Sequence, residues 1–93
     1  MVVGKAVLKV AGGKMLRAEA EHEEGVIRRV KLSGDFFIHP EEAISAIEAD
    51  LQGATVEQAA DRVDETARAL RAELVGFSAK DVQQVIEMAV LAS

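Results

Sequence analysis

From Lys5 to Ser33 apolar and polar residues alternate with a period of two, and from Ala43 onward apolar residues recur every three or four positions. The first rhythm belongs to half-buried strands, the second to amphipathic helices. Residues 5–10 predict a first strand with Ala6, Leu8 and Val10 on one face, and Ala11-Gly12-Gly13 supplies turn chemistry. Lys14 to Glu23 alternates Leu16, Ala18 and Ala20 against Arg17, Glu19 and Glu21, and Glu24-Gly25 reads as a tight hairpin. Val26 to Ser33 predicts a third strand with Val26, Val30 and Leu32 inward, and Arg28 interrupts that inward face. Arg28 therefore marks a strand end or a functional cation.

Pro40 suits the first position of a helix, and Glu41 and Glu42 favour the positive end of its dipole. Ala43, Ile44, Ile47 and Leu51 form its apolar stripe, which Gly53 ends. Thr55 and Gln58 make a capping box. Val56, Ala59, Val63, Ala67, Leu70 and Leu74 then predict one long helix over 55–75, stopped by Gly76. Its alanine-rich face suits packing on the rest of the fold, or less readily dimerisation. Ser78 and Asp81 cap a last helix striped by Val82, Val85, Ile86, Ala89 and Val90. The pattern predicts one α+β domain over residues 1–93. Strands fill 1–33, a connecting segment 34–40 and helices 41–93. A three-stranded antiparallel meander is followed by three helices packed on one face, in two layers.

The segment Ser33-Gly34-Asp35-Phe36-Phe37-Ile38-His39-Pro40 joins the two halves. It holds two of the three aromatic residues and the only proline. Neighbouring phenylalanines point in different directions, so one plugs the core and the other stands outward beside Ile38 as a partner surface. Asp35, Phe36, Phe37 and Ile38 form the candidate partner interface.

Apolar content of 49% is globular, but aromatic content of 3% makes a core of small side chains, each burying modest area. The net charge of −5 is divided unevenly. Residues 1–33 carry seven Lys/Arg against four Asp/Glu, a net of +3, and residues 34–93 carry four against twelve, a net of −8. That balance argues against bulk nucleic-acid binding, and on charge alone it favours solvated strands that use lysine and arginine over a local basic patch for a phosphate or an acidic partner. The absence of cysteine excludes a disulfide framework, thiolate zinc, cysteine-ligated iron–sulfur clusters and a thiol nucleophile. No basic-then-apolar leader opens the sequence and no apolar run approaches a membrane span, which predicts a soluble cytoplasmic protein.

Catalytic signatures are missing. Gly12-Gly13-Lys14 can set backbone N–H groups and an ammonium around a phosphate. It lacks the upstream glycine and following Ser/Thr of a Walker loop, and it enters a strand. His22 and His39 have no second histidine at ligand spacing, and Ser78 serves as a cap. Nothing assembles a nucleophile, a base and an oxyanion donor.

The order Gly12-Gly13-Lys14-Met15-Leu16-Arg17, Glu24-Gly25, Val30 to Phe37 and Pro40-Glu41-Glu42 resembles the C-terminal accessory domain of lipoate–protein ligases. That family carries a GGK turn, a charged hairpin and a GDFF segment before its helices, and the match is densest over residues 12–48. The chain is similar to the form encoded as a separate small subunit. It lacks the arginine- and glycine-rich signature and the lysine-bearing active site of the large domain. The resemblance implies a non-catalytic subunit of a two-component, ATP-dependent ligase, binding no cofactor itself. Lipoate, ATP and magnesium would sit on a catalytic large subunit. That partner forms lipoyl-adenylate and pyrophosphate, then passes the lipoyl group to a lysine of an acceptor domain. The accessory domain is expected to serve activation more than transfer. It further implies that Gly12, Gly13 and Lys14, with Arg17 and Arg28 behind, support the adenylate site, and that Phe36, Phe37 and Ile38 anchor the partner. Iron–sulfur scaffold proteins share such an α+β outline but depend on cysteines. A free-standing interaction or dimerisation module is the remaining alternative.

Overall fold

The structure is a computed structural model that describes residues 1–12 and 14–93. Strands β1 (Val2–Lys9), β2 (Met15–Glu23) and β3 (Val26–Gly34) form an antiparallel meander in the order β1-β2-β3. Leu8 pairs with Leu16, and Leu16 pairs with Gly34, so the three strands run nearly full length. The β2–β3 turn has positive φ at both Glu24 (50°) and Gly25 (79°). This is the primed hairpin geometry whose twist matches that of paired strands.

The chain then makes a short strand β4 (Phe37–His39), helix α1 (Ala43–Leu51), a single 3-10 turn (Val56–Gln58), helix α2 (Ala59–Ala69), a short strand β5 (Glu73–Val75) and helix α3 (Ala79–Leu91). Three helices cover one face of the meander. Helix α3 lies on β1 and β2, α1 lies on β3, and α2 packs between α1 and α3. The other face of the sheet is open.

The core lies between sheet and helices. Leu16, Ile27, Ile47, Leu51, Val63, Val82, Val85 and Ile86 are its largest fully buried side chains. Small residues set the spacing. At Gly4 of β1 an added Cβ would stand 1.8 Å from the Ala89 carbonyl oxygen. Helix α3 can lie this close to the sheet only because residue 4 has no side chain.

Four expectations need correction. The inward face of β3 is Ile27, Val30 and Leu32, not Val26, Val30 and Leu32. A bulge shifts the register, so that Glu21 faces Arg29 while His22 faces Ile27. Arg28 is the extra residue, and it leaves Arg28 and Arg29 both exposed. Second, α1 starts at Ala43 rather than Pro40. The His39–Pro40 peptide is cis, and the Pro40 carbonyl accepts from Ala43 N–H at 3.0 Å, closing a turn ahead of the helix.

Third, the predicted helix over 55–75 stops at Ala69. Arg71 adopts φ 52°, Ala72 N–H donates to the Ala67 carbonyl at 2.8 Å, and Arg71 N–H donates to the Arg68 carbonyl at 3.2 Å. These bonds make a Schellman cap with arginine in the place glycine usually holds. Fourth, Glu73–Val75 becomes a strand, which pairs antiparallel with β4. The two capping boxes form as expected: Thr55 N–H reaches Gln58 Oε1 at 3.0 Å, and Ser78 N–H reaches Asp81 Oδ2 at 2.9 Å.

Candidate functional site

The small β4–β5 ribbon gathers most of the segment singled out in the sequence. Asp35 N–H donates to the Met15 carbonyl at 3.0 Å, which fixes the point where the chain leaves the sheet. Beyond it the residues alternate. The Phe36 ring turns inward against Phe77, with centroids 4.4 Å apart and planes at 49°. Phe37 turns outward and is 62% exposed. Ile38 turns back into the core at 6% exposure. Phe36 is therefore the core plug, paired with Phe77, and Phe37 faces solvent. Ile38 belongs to the core rather than to an outward patch. Phe37 is paired across the ribbon with Val75, which is also exposed, and His39 is paired with Glu73.

Lys14 joins this corner from the meander. The turn into β2 is closed by Val10 N–H donating to the Lys14 carbonyl at 2.7 Å. A Cβ on Gly76 would come within 3.1 Å of Lys14 Cγ, so the glycine leaves the lane in which the lysine stem lies. Lys14 Nζ reaches 5.9 Å from the centroid of the Phe37 ring, within cation–π range. A half-buried stem thus delivers an ammonium to the exposed phenylalanine. Gly12 lies on the adjoining turn and is exposed, and Gly13 lies outside the described residues.

The other two candidate cations do not converge on this corner. Arg17 projects from the open face of the sheet, in the cross-strand row Val7–Arg17–Ser33. With Lys5, Val7, Glu19, Lys31 and Ser33 it lines a shallow hollow of about 500 Å³. Arg28 sits at the bulge near the far hairpin. At about 3.4 Å per residue that is roughly 24 Å from Lys14 along β2.

Charges alternate along the sheet rather than dividing between its ends. Glu19 pairs with Lys5 and Lys31, Glu21 pairs with Arg29, and Asp35 leaves the sheet beside Met15 at the same end as Lys14. Among the described residues no group of three or more His, Asp or Glu gathers as a metal centre. No helix is long and apolar enough to cross a membrane.

The contributions of Gly76, Phe77 and Val75 escaped the sequence reading, because residues up to 75 continue the helical spacing. The signal available was slight, a single β-branched residue, Val75, just before Gly76.

No protein-family model matches the chain. No curated protein matches its sequence. A solved structure does match in fold. It describes an archaeal lipoylation system, a bi-partite lipoate protein ligase and its E2 lipoyl domain from Thermoplasma acidophilum. One of its chains superposes with a TM-score of 0.79 over 91% of this chain and 94% of its own, at 22% sequence identity. The two chains therefore share the fold almost end to end, and the likeness is to a component of a lipoylation system.

Proposed function

We propose that this chain is the accessory subunit of a two-component lipoate–protein ligase and supports formation of lipoyl-adenylate by a catalytic large subunit. The observation that carries this reading is the corner where the Lys14 ammonium stands at the exposed Phe37 ring. The fold shared with a chain of an archaeal lipoylation system supports the choice of reaction.

Each side chain has a distinct task. Phe37 and Val75 offer the large subunit an apolar anchor at the corner, since docking buries the part of each side chain that now faces water. Lys14 stands beside that anchor with its stem held in the lane left by Gly76. It therefore loses little freedom when the interface forms. Adenylate formation joins the lipoate carboxylate to the α-phosphorus of ATP and expels pyrophosphate. Negative charge shifts during that step onto phosphate oxygens, and a fixed cation stabilises it. The nucleotide, lipoate and magnesium are held by the partner, and the acceptor lipoyl domain meets the assembled pair.

Reconstitution tests the reading. Adenylate formation by the large subunit should rise when this chain is added. Replacement of Lys14 by alanine should remove much of the increase while the two proteins still co-elute. An interaction or dimerisation module without a role in activation would leave the rate unchanged.

A further inference from the structure

One edge of the meander is closed and the other is open. Along β3, Ile27 N–H donates to the Ala54 carbonyl at 2.8 Å, and the Ile27 carbonyl accepts from Gly53 N–H at 2.7 Å. Farther on, Leu32 N–H donates to Glu48 Oε2 of α1 at 2.7 Å. Val26 also bridges Thr55. The fold thus spends a loop and a helix carboxylate on the outer side of β3. Strand β1 is the opposite edge. It pairs with β2 over all eight residues, Val2 to Lys9. Among the described residues no hydrogen bond closes its outer side. Three of its valines, Val2, Val3 and Val7, are 46–48% exposed.

A long, regular, apolar edge is a template for another strand unless something guards it. The candidates for guards are Lys5 and Lys9, which flank Val7 on the open face. In a pairing of two copies through β1, both lysines would enter the seam from each side. Like charges opposed across a ladder are destabilising, so the lysines disfavour a second copy. Lys5 already faces Glu19 on β2 and Lys9 faces Met15, so the outer side of each lysine, and of Lys9 above all, favours a carboxylate on an incoming strand. Residues directly opposite in a ladder share a face, so the sequence of that face specifies its complement.

We propose that β1 accepts a strand from a partner protein, an extended segment with an acidic residue, an apolar residue and a second acidic residue at alternate positions. The two acids lie beside Lys5 and Lys9, and the apolar residue covers Val7. The unpaired backbone of β1 supplies the ladder. This backbone requirement points to a polypeptide rather than a nucleic acid. The pattern reads the same in both directions, so it suits either strand orientation. The inference concerns a different part of the surface from the Lys14–Phe37 corner and holds independently of the lipoylation reading.

The test uses the full chain, isotope-labelled for NMR, and a seven-residue peptide, Thr-Glu-Thr-Val-Thr-Glu-Thr. The peptide should saturate shifts centred on Val3 to Lys9 and slow hydrogen exchange there. N-methylation of alternate peptide amides should weaken binding at least about tenfold, and the double variant Lys5→Glu with Lys9→Glu should do the same while keeping the spectrum of a folded chain. A peptide with lysine in place of glutamate should not bind. Four results would overturn the proposal. The N-methylated peptide could bind equally well, which would mean charge attraction alone. Shifts could centre on Arg17 and Lys31. The peptide could fail to bind at millimolar concentration. Or the chain could prove to be a dimer paired through β1.

Discussion

Lys14 Nζ stands 5.9 Å from the centroid of the Phe37 ring, although Lys14 leads into the meander and Phe37 lies in the separate β4–β5 ribbon. The contact ties the turn of the meander to the β4–β5 ribbon and puts an ammonium and an exposed aromatic side by side. Anchor and cation can therefore be separated by mutation.

Phe37→Ala should barely affect folding, because the ring is largely in solvent. It should weaken association with the catalytic subunit by about 2 kcal/mol, the scale of an aromatic hot spot. Isothermal titration of the two subunits and thermal unfolding of the isolated chain make the comparison. An unchanged affinity would remove Phe37 from the interface. Lys14→Ala should show the complementary result, with affinity nearly retained and adenylate formation reduced.

Gly4→Ala tests the close approach of α3. The added carbon would meet the Ala89 carbonyl at 1.8 Å, and backbone must shift to admit it. Overpacking of this kind costs about 1–3 kcal/mol. Urea unfolding should show the loss as a lower midpoint at constant slope. A neutral result would mean that α3 slides freely over β1.

Arg71→Gly should stabilise the chain. Arginine at φ 52° carries a left-handed penalty of about 1–2 kcal/mol, part of which glycine gives back through its freer unfolded chain. The net gain should be about 0.5 kcal/mol, or roughly 2–4 °C in melting temperature for a domain of this size. A fall in melting temperature would show that the arginine side chain stabilises the cap by other means.

Glu48→Ala should cost about 1–2 kcal/mol by leaving the Leu32 N–H without its partner at the β3 edge, whereas Glu48→Gln keeps an acceptor and should cost less. Equal losses for the two variants would mean that the charge, not the hydrogen bond, matters. Hydrogen exchange at Leu32 reads the same contact directly.

Much of the fold was legible because its signals are local. Leu16, Ala18 and Ala20 alternate within one strand, Glu24-Gly25 is complete turn chemistry, and the Ser78–Asp81 box needs four residues. The bulge at Arg28 was visible only as an interruption, since its phase is set by the partner strand. The end of α2 was hidden because Arg71 occupies a position where glycine normally announces the stop. At the candidate site, the pairing of an inward with an outward phenylalanine followed from strand geometry. Assigning Phe36 inward required Phe77, and placing Lys14 over Phe37 required the lane at Gly76. Both come from distant parts of the chain. Arg17 and Arg28 stood behind Lys14 as further candidates on the basic strands, and the pleat and the length of β2 separate them from it.

The role in activation rests on whether this chain changes the chemistry of its partner. The direct measurement is pyrophosphate release by the large subunit with lipoate and ATP, without an acceptor protein, as this chain is titrated in. Release should rise and saturate at one chain per large subunit, with the Lys14→Ala chain saturating at a much lower rate. A rate that stays flat through the titration, with the two proteins shown to be bound, would contradict the account.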